Sequence, residues 1–288
     1  MTALIDAKTD GRRGTRRTGL LHQRTFLFGM VIAAPVVLIA VFGSFLAPYS
    51  TTEFIAPAFS QLSGVAVLGT DNLGRDVWSR FLGGGASLLV LGLLATLIGV
   101  FVGALLGIAA AFSRGVVDEL MSRVIDVLLA FPPIVLALLF IAIIGPERWL
   151  LVAVVALGHI PRSFRVLRGA ALGVVGRDFV AHAQSLGYSR LKIVVWELLP
   201  NLRTPFMVEL GIRFTYSLGL IAGLSFLGLG VQPPTADWGL MINENRIALA
   251  MQPWGVVLPL LAIALVTVGS NLMTDGISRT TAQRQEAN

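Results

Sequence analysis

DFVAHAQSLGYSRLKIVVWELLPN, residues 178–201, is a polar stretch set between long apolar segments. Its spacing predicts two short helices joined by a turn. Phe179, Ala183 and Leu186 recur at i, i+4 and i+7; Leu191, Val194, Val195 and Leu198 form a second apolar face, and Pro200 stops it. Gly187 suits the turn because only glycine takes positive φ at little cost. Ser189 is placed to cap the second helix and Asp178 the first. A helical hairpin of this polarity works in water, beside a chain that is otherwise embedded.

That embedding is written in the composition. Of the 288 residues, 55% are hydrophobic and only 13% charged, and the mean hydropathy is +0.81. These values describe a polytopic membrane protein rather than a soluble domain. A helix needs about 20 apolar residues to cross a bilayer, and six spans are expected, near 26–47, 87–112, 119–145, 149–167, 205–230 and 254–274. The third carries Arg123 and Asp126 near its start and Pro132-Pro133 within, which should kink it. The fourth is interrupted at His159, Pro161 and Arg162.

An even number of spans puts both termini on one side, and basic residues mark that side as cytoplasmic. The tail, 1–25, holds Lys8, Arg12, Arg13, Arg16, Arg17 and Arg24; the coupling region, about 177–203, with its approach, holds Arg162, Arg165, Arg168, Arg177, Arg190, Lys192 and Arg203. The opposite loops hold Arg75, Arg80, Arg148 and Arg246. The net charge of +6 therefore reflects topology, and the tail arginines suit anionic lipid headgroups rather than nucleic acid. The tail is no signal peptide: its basic region is long and no small-residue cleavage site follows the apolar run. There is no cysteine, hence no disulfide framework or thiolate metal site.

Between the first two spans, residues 48–86 form an expected extracytoplasmic loop. There LGTDNLGRDVWSRFLGGGAS offers Asp71 as a cap and Leu73, Val77 and Phe81 as one face of a helix lying along the membrane interface. Arg75, Asp76 and Arg80 read as ordinary solvated, paired charges. In the second span Gly99, Gly103 and Gly107 stand four apart, with Gly92 and Ala95 extending a smooth face for helix packing; lining a pore is the other reading. Two intramembrane ion pairs are expected by spacing, Arg123 with Asp126 and Glu209 with Arg213.

The 178–201 stretch resembles the cytoplasmic coupling loop of ABC-importer permeases, in which Glu-Ala-Ala is followed at fixed spacing by Gly and then Leu-Pro. Ala181, His182 and Ala183 occupy the Glu-Ala-Ala positions, and Gly187, Leu199 and Pro200 fall in register. Ala181 replaces the usual Glu, which would close a capping box, and Glu197 stands where an apolar residue is usual. The block at residues 68–87, Ser225 to Gly230, Pro233-Pro234, Trp238-Gly239, Asn271 and Asp275-Gly276 also resemble dipeptide, oligopeptide and nickel permeases, with Thr274 in place of a usual Gly. The resemblance covers about residues 64–278. It implies an all-α type-I ABC importer transmembrane fold with a cytoplasmic coupling helix in a bacterial inner membrane. Residues 87–276 would be the transmembrane domain, with five helices, and 277–288 a cytoplasmic tail. It also implies a second homologous permease subunit sharing the pore, two ABC ATPase subunits, and an extracytoplasmic substrate-binding protein. Ala181, His182, Ala183, Gly187, Leu199 and Pro200 would meet an ATPase.

No Gly-x-x-x-x-Gly-Lys-Ser/Thr loop occurs, so no cofactor is expected in this chain; ATP and Mg belong to the implied partners. An intramembrane enzyme would need a catalytic or metal constellation, and His22, His159 and His182 are too scattered to suggest one. An ion-coupled secondary carrier would often show inverted repeats, and none stands out. Di- or oligopeptides are the expected cargo by resemblance; nickel chelates, glutathione, opines, oligosaccharides or another small solute are alternatives.

Overall fold

The computed structural model describes residues 23–113 and 115–286, with side chains to residue 279; the basic tail up to Gln23 lies almost wholly outside them. α1 spans Arg24–Leu46, α2 Val77–Ser113, α3 Gly115–Leu129, α4 Pro133–Ile144 and α5 Arg148–Val175. The hairpin follows as α6 Asp178–Ser185, α7 Arg190–Ile193, a π turn Val194–Leu198 and α8 Leu199–Asn201. α9 is Arg203–Phe226, α10 Trp238–Asn245 and α11 Trp254–Glu286. Five of these helices are long and apolar enough to cross a membrane; α3 and α4, bent by 76° at the break between them, are so only when taken together, which makes up to six spans.

The bend has a local cause. Pro133 fixes φ and needs no hydrogen-bond acceptor in a first helical turn, so it opens α4, and it also holds the residue before it, Pro132, in an extended conformation at ψ 128° that ends the preceding helix. In α5 the expected interruption does not occur: the helix runs through Pro161, which is buried and surrounded by neighbouring helices, to Val175.

α2 is the central mast. Its most extensive partner is α5, and α9, α1, α10 and α11 also touch it. A Cβ at Gly99 would lie 2.7 Å from His159 Cβ, and one at Gly107 would lie 2.7 Å from the Phe164 carbonyl oxygen. This close approach lets dispersion contacts accumulate where lipid offers no hydrophobic contrast. Gly92 turns to Leu218 of α9 instead.

The expected interfacial helix is not separate. Phe81 and Trp78 lie in the first turns of α2, because Asp76, not Asp71, caps it: Asp76 Oδ2 accepts from the Ser79 N–H at 2.8 Å and the Ser79 hydroxyl at 2.6 Å. Trp238 of α10 is fully buried against this turn, donating its indole N–H to the Phe81 carbonyl at 2.9 Å and stacking on the Phe81 ring.

Candidate functional site

Two regions carry polar chemistry that packing alone does not require, one at the hairpin end of the bundle and one within it. A third cluster ties down the opposite end.

At the hairpin, Gly187 has φ +76° and closes α6 with paired backbone bonds, Tyr188 N–H to the Ala183 carbonyl and Gly187 N–H to that of Gln184. Arg177 takes the cap position, making Asp178 the first helical residue rather than the cap; its carboxylate still favours the helix start. Ser189 Oγ accepts from the Lys192 N–H at 3.4 Å, and the Lys192 ammonium lies 3.6 Å from the centre of the Tyr188 ring. Pro200 has no N–H to continue the α ladder, and the chain passes it through a π turn in which the Leu199 N–H reaches the Val194 carbonyl.

The buried face differs from the periodic reading. Val180 and Ala183 on α6, with Ile193 and Leu198, pack on Ile108, Val174 and Leu202 of the bundle. Leu186, Leu191 and Val195, expected to face inward, point out; Leu191 is 73% exposed and Trp196 71%. Tyr188 and Leu199 are uncovered too, so this charged loop exposes six large apolar side chains within fourteen residues. Ala181, His182 and Pro200 are exposed as well, and only Ala183 is buried.

Inside the bundle, α5 and α9 face each other with polar side chains at four-residue steps. His159 Nε2 and Ser217 Oγ are 2.7 Å apart, and Ser217 Oγ is 2.8 Å from Thr96 Oγ1 of α2, which donates to the Gly92 carbonyl. One turn nearer the hairpin, Ser163 donates to Glu209 Oε1 at 2.9 Å, and Arg213 Nε reaches the same oxygen at 2.6 Å. All are buried, and polar groups in an apolar bundle are costly where unpaired; here all are bonded to one another, with His159 Nδ1 left without a partner among the described residues.

Arg123 does not pair with Asp126. It meets Glu119 at 2.6 Å, while Asp126 Oδ1 meets Arg165 of α5 at 2.6 Å and Asp118 takes Arg168 in a two-pronged bond at 2.5 and 2.6 Å. The longer Glu119 reaches its i+4 partner, whereas the short Asp126 carboxylate meets an arginine from the next helix. The Arg123–Glu119 and Arg165–Asp126 pairs are exposed and worth little each.

At the other end, Arg75 and Arg80 are buried rather than solvated. Arg75 Nε meets Asp71 Oδ2 at 2.7 Å and its Nη2 meets Glu244 Oε2 at 3.2 Å, and Arg80 Nη1 contacts the same two oxygens. Glu244 comes from α10, so the cluster bolts that helix to the start of α2. Burial pushes the Asp237 carboxyl up to about 6, partly countered by the Leu240 N–H, which donates to Oδ1 at 3.1 Å. Between the ordinary carboxylate value and about 6 the folded chain holds a proton that the unfolded chain has lost. Asp237 therefore favours folding most in acid, and stability falls as pH rises through about 6. The melting temperature of detergent-solubilised protein is expected to show that fall, and Asp237→Asn to flatten it.

Sequence reasoning missed Ser217, Thr96, Tyr216 and Glu244, which look unremarkable until helices α2, α5, α9 and α10 are brought together. Arg162 reads in the sequence as an interruption of a span and as one of the basic residues of the coupling region; its three-residue spacing to Arg165 and Arg168 also marks one arginine row.

An all-helical bundle with five to six apolar spans and a buried polar column is a polytopic membrane protein of the type-I ABC importer transmembrane fold. Residues 99–286 match the family described as binding-protein-dependent transport system inner membrane component; the chain belongs to that family and is a permease subunit of an ABC transport system. It is 35% identical over 263 residues to the di/tripeptide transport system permease protein DppC of Pseudomonas aeruginosa (strain UCBPP-PA14), covering 89% of this chain and 87% of that one. A putative peptide transport system permease protein of Brucella suis biovar 1 is 36% identical over 90% of this chain and 87% of its own length. The glutathione transport system permease protein GsiD of Escherichia coli O6:K15:H31 is 37% identical over 84% of this chain and 80% of its own.

Proposed function

We propose that this permease forms half of a pore that imports di- or oligopeptides, with its hairpin seated on one of two ATPase subunits and an extracytoplasmic binding protein delivering cargo to the opposite end. The observation that carries the coupling assignment is the uncovered apolar surface of Leu186, Leu191, Val195, Trp196 and Leu199 on an otherwise polar loop. Water penalises such a patch, and a cleft on a partner removes that penalty. Ala181, His182, Gly187, Leu199 and Pro200 are the residues assigned to this contact, while Ala183, buried on the bundle, holds α6 in place for it. Peptide cargo is supported by the relatives named for peptide and di/tripeptide transport; the relatives named for glutathione transport keep that tripeptide within the class. The excess of basic residues in the coupling region supports a cytoplasmic hairpin end, with both termini on the same side. The second pore half is a homologous permease, and ATP with Mg is bound by the ATPases.

The test is ATP-dependent uptake of labelled peptide by proteoliposomes holding the whole complex, with native mass spectrometry to count a second permease and two ATPases. Gly187→Val is the informative variant. Nothing lies within 4 Å of the Cβ it would add, so insertion should survive, but a β-branched residue at φ +76° is strained by about 1–2 kcal/mol. Relaxing that turn reorients α7 relative to α6. Peptide uptake per ATP hydrolysed should fall about tenfold, and wild-type coupling in this variant counts against the assignment.

A further inference from the structure

We infer that Arg162, at the broken span, forms a transient docking site for the carboxylate of the transported solute, an inference that rests on the peptide-import reading. Three observations converge there. First, two cavities of about 340 and 150 Å³ flank the Pro132-Pro133 break and share Pro133, Gly158 and Arg162 as lining residues. The larger falls within the roughly 300–1,000 Å³ of small-molecule pockets, and its other polar walls are His159 and Tyr216 among apolar Val155 and Leu220.

Second, the charges around it are matched except one. Asp118 is held by Arg168, Asp126 by Arg165, and Glu209 by Arg213. Arg162, half-buried and next in the same arginine row, makes neither hydrogen bond nor ion pair among the described residues. It lies 14 residues into α5, roughly 21 Å along the helix axis. A half-buried guanidinium in a mostly apolar cavity is costly without an anion, and its fork fits a carboxylate in two-pronged fashion.

Third, His159 is buried with Nε2 bonded to Ser217 while its other ring nitrogen, Nδ1, has no partner. A carboxylate on Arg162 would leave an adjoining amide close to His159 and the Tyr216 hydroxyl. A free peptide presents a terminal carboxylate beside an amide group. Because the site is open on the broken span, movement of α3 and α4 would change its access, so binding there need last only part of a cycle.

The experiment uses the complete complex in phosphatidylcholine vesicles, with and without anionic phosphatidylglycerol, and compares ATP-driven uptake of Ala-Ala with that of its C-terminal amide. The binding protein is the same throughout, so a change in the ratio of the two uptakes reports the permease. Arg162→Gln is expected to reduce the preference for Ala-Ala over the amide about tenfold in both vesicle types, the loss of one charge-assisted contact, and Arg162→Lys to restore part of it. An unchanged ratio overturns the inference, as does an equal loss for both peptides. Loss only in anionic vesicles assigns Arg162 to a lipid phosphate instead. Loss of the second permease from the purified Arg162→Gln complex assigns it to an ion pair across the pore. A wild-type complex that assembles but carries none of Ala-Ala, a longer peptide and glutathione sinks the peptide reading itself, and the carboxylate site with it.

Discussion

Gly103→Leu should leave almost no correctly packed protein. A Cβ at Gly103 would lie 2.7 Å from Ser163 Cβ, 2.8 Å from the Ile160 carbonyl oxygen and 3.0 Å from the Phe164 amide nitrogen. Two of those three atoms are backbone, which cannot rotate aside as a side-chain tip can. The helices must separate, and the bond from Ser163 to Glu209 would be disturbed with them. Overpacking a relaxed core costs about 1–3 kcal/mol; here lost dispersion along the α2–α5 seam adds to it, so about 3 kcal/mol or more is expected. Size-exclusion profiles of detergent extracts and unfolding in denaturant measure it, with Gly103→Ala intermediate. Gly173→Leu is the control, since nothing lies within 4 Å of its added Cβ and the position is exposed. Equal stability of Gly103→Leu and Gly173→Leu would refute the close-packing account.

The glycine row could be read from spacing because helix packing in lipid depends on small residues at a fixed interval, and that interval survives in the one-dimensional string. The spans were legible for a similar reason: hydropathy is a property of composition over a window. The hairpin's turn chemistry was equally local, since Gly187 and Ser189 act on their immediate neighbours. Its inner face was not. Periodicity groups Phe179, Ala183 and Leu186, but burial depends on where Ile108, Val174 and Leu202 lie, and Val180 with Ala183 meets them. A partner-facing apolar surface imitates a core-facing one in sequence, and only the bundle shows which residues are left uncovered. Charge partners failed in the same way. Glu209 and Arg213 share one helix, and their bond follows from i, i+4 spacing. Asp126 and Arg165 are 39 residues apart, and Arg80 and Glu244 are 164 apart, so no local rule pairs them. Solvation was misjudged at Arg75 and Arg80 because a polar string outside the apolar windows reads as surface unless another element, here α10, covers it.

Arg80→Met tests that covering helix and should destabilise the opposite end of the bundle severely. Arg80 has no exposed surface, and it and Arg75 face two carboxylates, Asp71 and Glu244, so the cluster balances two positive charges against two negative. Removing one arginine leaves Arg75 to hold both acids out of water, and breaking a buried pair in this way costs about 3–5 kcal/mol. Arg80→Lys should recover part of the loss, since Arg80 meets both acids through Nη1 alone, its Nε and Nη2 being without partners among the described residues, and a single ammonium at that point keeps the charge balance. The decisive variant restores the balance differently. Arg80→Met combined with Glu244→Gln keeps one cation and one anion, Arg75 with Asp71, and an amide that can still accept from Arg75. The double variant is therefore expected to be more stable than Arg80→Met alone, although each single change removes a native contact. Thermal unfolding followed by tryptophan fluorescence reads this directly, because Trp78 and Trp238 stack on Phe81 at the same end. If the double variant is no better than the single one, shape rather than charge balance holds α10. If Arg80→Met melts with the wild type, the cluster contributes nothing, and the bolt between α10 and α2 is the Trp238 indole and its bond to Phe81 alone.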